Sequence, residues 1–153
     1  MNVERVTRAD EALAEAVARL VPQLSPRRQP AGVVELAELV ATPGTNLIVA
    51  RDEETVIGML TLIVYRVPTG TRAWIHDVVV DETARGRGVG EALTTEALRL
   101  AEEAGAISVE LTTRQEREAA NRLYRRLGFE QRETNVYVWR RPPEPGSLSQ
   151  PGS

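Results

Sequence analysis

Arg85-Gly86-Arg87-Gly88-Val89-Gly90 stands between an apolar run, Trp74-Ile75-His76-Asp77-Val78-Val79-Val80, and a stretch that begins at Glu91. The run reads as a buried strand. In the stretch from Glu91 to Ala104, Leu93, Ala97, Leu100, Ala101 and Ala104 fall on one helical face. Strand, glycine-rich turn and helix together aim unpaired backbone N–H groups at an anion, and the helix dipole adds to the attraction. Three alternating glycines cost entropy that a plain turn does not require. The turn therefore reads as a phosphate cradle, with Arg85 and Arg87 supplying formal positive charge.

The rest of the composition narrows whose phosphate it is. All 19 basic residues are arginine, so lysine Schiff-base chemistry and the lysine-bearing P-loop are excluded. The dinucleotide pattern Gly-x-Gly-x-x-Gly also fails, because Glu91 stands where the third glycine is needed counting from Gly86. There is no cysteine and one histidine, His76, which leaves neither a thiolate nucleophile nor a multi-histidine metal site; no metal is expected. A net charge of −3 argues against a nucleic-acid partner. No apolar run approaches the ~20 residues that span a bilayer. The N-terminus lacks a basic start and apolar centre, so a cytoplasmic location without membrane association is expected.

The length of 153 residues suits one domain, expected over 1–141, followed by a Pro-, Gly- and Ser-rich tail at 142–153 expected to be disordered. Along the chain, residues 2–6 read as a first strand, and Thr7 or Asp10 as the cap of a helix to about Leu20. Pro22, Pro26 and Pro30 interrupt the pattern before a second helix at Val33 to Ala41. Thr45 to Asp52 and Thr55 to Arg66 form a hairpin of strands, and Pro68-Thr69-Gly70 turns the chain into the strand at 72–80. After the cradle and its helix come a strand at Ala106 to Thr112, a helix at Glu116 to Leu127 stopped by Gly128, and a closing strand pair at 130–132 and 135–140. This order predicts an α/β fold: a central mixed sheet with helices on both faces.

From residue 72 to 140 the chain resembles the GCN5-related N-acetyltransferase (GNAT) superfamily, and the element order of 1–71 fits the same acyl-CoA N-acyltransferase fold. The family's acetyl-CoA signature, Gln/Arg-x-x-Gly-x-Gly/Ala, is matched by Arg85 to Gly90. Its second motif, Asn-x-x-Tyr followed by Gly-Phe, is matched by Asn121 to Tyr124 and by Gly128-Phe129. Ile75 to Asp81 is similar to the corresponding strand of glucosamine-6-phosphate N-acetyltransferases, with His76 in place of a typical glutamate.

The resemblance implies an N-acetyltransferase with acetyl-CoA as co-substrate. It places the pyrophosphate on N–H groups from Arg87 to Glu91, through Gly88, Val89 and Gly90, with Arg85 and Gly86 completing the loop. The backbone of Val78, Val79 and Val80 would pair with the pantetheine amides, and a backbone N–H there suits an oxyanion. Tyr124 is the candidate acid: a phenol near pKa ~10 can donate to a thiolate whose acid titrates near ~8.5. Its position on an apolar stripe equally suits a core tyrosine. Asn121, one turn earlier, would bond the cofactor arm.

His76 is the candidate base, since imidazole titrates near ~6.5. Neighbouring strand residues face opposite ways, so His76 and Asp77 share the substrate side only if a bulge intervenes. Glu110 is an alternative base; Asn135 and Tyr137 could line the acceptor pocket. The acceptor is expected to be a small amine such as an amino sugar, amino acid or polyamine. A protein amine and a non-catalytic acyl-CoA sensor are the alternatives. Loops 21–44 and 66–72 are expected to shape the pocket: acidic walls would favour a polyamine, arginine walls a phosphorylated or carboxylated amine. A homodimer is common in the superfamily, and the sequence leaves oligomeric state open.

Overall fold

A computed structural model describes residues 1–145. Five strands lie in sequence order, β1 (Asn2–Arg5), β2 (Thr45–Asp52), β3 (Thr55–Val67), β4 (Gly70–Val80) and β5 (Val109–Glu110). β1 to β4 pair antiparallel and β5 joins β4 in parallel, so the sheet is mixed, as the element order requires. The helices are α1 (Glu11–Leu24), α2 (Val33–Ala41), α3 (Val89–Glu103) and α4 (Glu118–Arg126).

Alternation along β2 explains the layering. Leu47 and Val49 join Leu13, Val17, Leu20 and Leu36 of α1 and α2, whereas Ile48 and Ala50 join Val89, Leu93, Ala97 and Ala101 of α3. A strand buried on both faces carries a continuous apolar run, and β2 does so from Leu47 to Ala50. Asp10 caps α1 by accepting from the Leu13 N–H at 2.8 Å.

α1 continues past Pro22 to Leu24 rather than ending near Leu20. A proline this close to a C-terminus forfeits only the bond to the Ala18 carbonyl, and the Ser25 N–H closes the turn on the Val21 carbonyl at 2.9 Å.

α3 lies close on β3 because Gly58 has no side chain. A Cβ there would stand 2.9 Å from Val89 Cγ1, 3.1 Å from Leu93 Cδ1 and 3.2 Å from the Val79 carbonyl oxygen. Val89 is stiff and Leu93 fully buried, so neither can yield freely. Gly58→Val is expected to destabilise the protein by about 1–3 kcal/mol through overpacking, measured as a lower urea midpoint at unchanged slope.

Two expected elements are corrected. The strand at 106–112 contracts to Val109–Glu110, because β5 pairs with Ala73 and Trp74 and then diverges from β4. The closing strands at 130–132 and 135–140 do not form: with so short a β5 there is no ladder for them to extend. Val136, Tyr137, Val138 and Trp139 are exposed, and Arg132 meets Glu110 at 2.7 Å near the start of that segment. Of the expected tail, residues 146–153 lie outside the described residues. Among the described residues no helix is long and apolar enough to cross a membrane. Nor is there, among them, a His, Asp and Glu group able to hold a metal ion.

Candidate active site

The divergence of β4 and β5 opens a cavity of about 1330 Å³. One wall is β4 from Ile75 to Val80, whose outer edge has no β5 partner beyond Trp74. The facing wall is the chain from Leu111 onward together with α4, and the glycine turn closes one end.

At that end the turn has the form the sequence implied. Gly86 and Gly88 both adopt φ +79°, a left-handed conformation that favours glycine, and no atom lies within 4 Å of a Cβ built on either. Gly88 is the N-cap of α3 and offers no side-chain cap. The first helical N–H with a partner is that of Ala92, bonded to the Gly88 carbonyl at 3.0 Å. The N–H groups of Gly86 to Glu91 have no acceptor among the described residues. Orphan donors at a helix N-terminus, beside empty space and Arg85, suit a diphosphate. Arg87 turns away instead, pairing with Asp52 of β2 at 2.9 Å and holding that carboxyl below its usual range.

The turn is held from behind by α1. Arg19 Nε donates to Asp81 Oδ2 at 3.2 Å, and its Nη2 donates to the Val56 carbonyl. Gln23, one turn later, accepts the Glu82 N–H through Oε1 at 2.8 Å. Asp81 also accepts the Thr83 N–H and hydroxyl at 3.1 and 3.0 Å. The Thr83 N–H foremost, with the Thr83 hydroxyl and Arg19, holds the Asp81 carboxyl below the ordinary range despite burial. Neither Arg19 nor Asp81 has a motif to announce it in the sequence; a contact spanning 62 positions is visible only once the chain is folded.

Midway along β4 the pairing register shifts: Thr61 faces His76 and Met59 faces Val79, so Asp77 and Val78 share a single partner position. Asp77 takes φ +52° at this bulge. A bulge re-aims side chains, and His76 and Asp77 are both exposed and both line the cavity. The condition set by strand alternation is met.

Tyr124, on α4, lines the same cavity. The residue is buried, yet its hydroxyl has no protein partner and is not among sealed polar atoms, so it opens into the cavity. Burial pushes its pKa up, partly opposed by the charge of Arg117. Local sequence explains its fixed position. Gly128, at φ +95°, ends α4 so that the Gly128 N–H bonds the Arg125 carbonyl at 3.1 Å and the Phe129 N–H bonds the Tyr124 carbonyl at 2.9 Å. This pair of bonds is a Schellman closure, with its apolar contact made by the Phe129 ring edge-on to Tyr124 at 5.6 Å.

Val78, Val79, Val80, Arg85, Gly86, Gly88, Val89, Gly90 and Glu91 all join His76, Asp77 and Tyr124 around this cavity. Others do not. Asn121 lines a separate cavity of about 440 Å³, its Nδ2 donating to the Arg114 and Arg117 carbonyls at 3.0 and 2.8 Å. It thereby fixes the loop ahead of α4. Glu110 is engaged by Arg132. Asn135 and Tyr137 lie on the exposed segment outside the cavity. Of the two loops expected to shape the pocket, 21–44 contributes Gln23, Leu24, Ser25 and Arg28, and 66–72 contributes nothing.

Comparison with known proteins agrees with this geometry. Over 69 residues the chain is 44% identical to an uncharacterized N-acetyltransferase of Methanocaldococcus jannaschii, a match that covers 45% of this chain and 30% of the relative. The chain thus spans less than a third of that relative's length. Its fold is similar to that of a transcriptional regulator from Bacillus halodurans, at TM-score 0.75 and 28% identity over 90% of this chain and 99% of the other. It is also similar to an aminoglycoside acetyltransferase from an uncultured soil metagenomic sample, at TM-score 0.81 and 21% identity over 93% and 96% of the two chains. The model of the acetyltransferase (GNAT) family matches residues 13–129, from the first turn of α1 to Phe129, and the chain belongs to that family.

Proposed function

We propose that the protein is an acetyl-CoA-dependent N-acetyltransferase that acetylates the primary amine of a small molecule in a ternary complex. The observation that carries this reading is the single cavity shared by the open cradle, the free edge of β4, the bulge residues and the Tyr124 hydroxyl.

Acetyl-CoA would supply the activated thioester. The N–H groups of Gly86 to Glu91, with Arg85, would hold its pyrophosphate, and the unpaired edge of Val78 to Val80 would take its amide arm as an added strand. His76, or water beside it, would remove the proton from the incoming ammonium. As the new C–N bond forms and the C–S bond breaks, a β4 backbone N–H at the bulge would stabilise charge on the carbonyl oxygen. Tyr124 would then give its proton to the departing sulfur, and the second proton leaving the nitrogen would pass through water to the Tyr124 oxygen, yielding the amide, free CoA and the neutral phenol. Its raised pKa keeps it protonated, and so able to donate, at neutral and mildly alkaline pH.

Acetyl-CoA mixed with a panel of amines and monitored for thiol release tests the reading. CoA-dependent thermal stabilisation together with turnover of at least one amine is the expected result; no stabilisation by CoA would overturn it. The likeness to a transcriptional regulator favours one alternative, a non-catalytic acyl-CoA-binding sensor. Tight CoA binding with no turnover on any amine is the result that sensor predicts.

A further inference from the structure

The cavity carries more guanidinium than carboxylate, and one guanidinium lies on a wall away from both the glycine turn and α4. Arg85 belongs to the cradle, Arg126 is matched by Glu91 at 3.2 Å, and Arg122 by Glu118 at 4.0 Å. Arg114 and Arg117 belong to the wall that leads into α4 and Tyr124. Arg28 lies on the connection between α1 and α2, on a wall shared with Gln23 and Ser25. It is exposed, and its guanidinium has no partner among the described residues. The Asp77 carboxylate at the β4 bulge is likewise without a partner there. Arg114, Arg117 and Glu116, on the wall that leads into α4, have no ion-pair partner among the described residues either, so Arg28 and Asp77 are the unmatched cation and anion of the walls away from α4, neither needed by the cradle.

We propose that Arg28 selects acceptor amines that also carry an anionic group, a carboxylate or a phosphate, while Asp77 meets the ammonium. This rests on the N-acetyltransferase reading above. A planar guanidinium fork matches either anion with paired, charge-assisted hydrogen bonds. An acceptor bearing several ammonium groups would instead meet the like charge of Arg28, Arg114 and Arg117, with Asp77 and Glu116 as the unpaired carboxylates to bind it. The aminoglycoside acetyltransferase named above shares the fold at 21% identity, which leaves acceptor chemistry to each chain's own walls.

The test uses the full chain, acetyl-CoA and matched amines: an α-amino acid, its carboxamide, the amine lacking the carboxyl group, phosphoethanolamine, spermidine and an aminoglycoside. An anionic amine should exceed its neutral counterpart in kcat/KM by at least about tenfold. Comparison of the amino acid with phosphoethanolamine identifies which anion is preferred. Arg28→Ala should lower kcat/KM for the anionic amine by about 10- to 100-fold, mainly through KM, and leave the carboxamide unaffected. Arg28→Lys should restore part of the loss. Equal or better turnover of the carboxamide, spermidine or the aminoglycoside would overturn the proposal. So would an Arg28→Ala enzyme with unchanged preference, or CoA binding without turnover of either anionic amine. Absence of CoA binding would remove the acetyltransferase reading beneath it, a failure distinguishable from the others by the thermal shift.

Discussion

Tyr124→Phe should lower kcat by about 100-fold or more while changing the CoA dissociation constant by no more than a few-fold. The substitution removes one hydroxyl that opens into the cavity and bonds to no protein atom, so the fold loses no hydrogen bond. The ring keeps its edge contact with Phe129 and its burial on α4. A tyrosine present only for packing would tolerate this change, and that is the value of the variant. If the wild-type turnover rate persists, Tyr124 is a core residue and the leaving sulfur takes its proton elsewhere. A second readout is pH. Because burial raises the Tyr124 pKa above that of a free phenol, its ionisation should not produce an alkaline fall in kcat below about pH 10.

Gly88→Asp should weaken CoA binding by about 100-fold or more, read by calorimetry or by loss of the CoA-induced thermal shift. The left-handed conformation at φ +79° strains most side chains, but aspartate tolerates it better than others, and nothing within 4 Å obstructs its Cβ. The cost to stability should therefore be only about 1–2 kcal/mol. The carboxylate would stand at the N-cap of α3, where it competes for the N–H groups assigned to the pyrophosphate and adds like charge a few ångströms away. Gly88→Ala separates the two effects: it shares the backbone strain but lacks the charge, and should bind CoA far better than Gly88→Asp. Equal affinity of wild type and the aspartate variant would mean that the anion, if any, binds elsewhere.

Local signals were legible where local physics decides. α2 and β2 have the bounds that periodicity assigns, and Asp10 caps α1 with the side chain expected of it. The strand, glycine turn and helix at 74–104 were equally readable, because alternating glycines ahead of an amphipathic stretch mark a left-handed turn at a helix start. The shortening of β5 was not, since 106–112 alternates like any strand and nothing in it reveals that β4 will turn aside. That turning aside is what makes the cavity. The exposed 130–140 segment failed for the related reason that a β-pattern needs an edge to pair with. By motif the Asn121 side chain was assigned to the cofactor arm and the Arg87 N–H to the pyrophosphate; the Asn121 side chain bonds the loop ahead of α4, and the Arg87 side chain binds Asp52. Arg19 and Asp81 meet across the fold and leave no trace at short range.

The ion pairs described above draw every cation from arginine, including the Arg87–Asp52 clamp that braces the cradle. A lysine in that place would present an amine that acetyl-CoA in solution can acetylate, and each accidental transfer would erase the charge and slacken the clamp. Guanidinium groups stay protonated at pH values where an amine can react. The scaffold around the cradle is in this sense immune to the chemistry proposed for it, and repeated turnover should leave its electrostatic framework as it began.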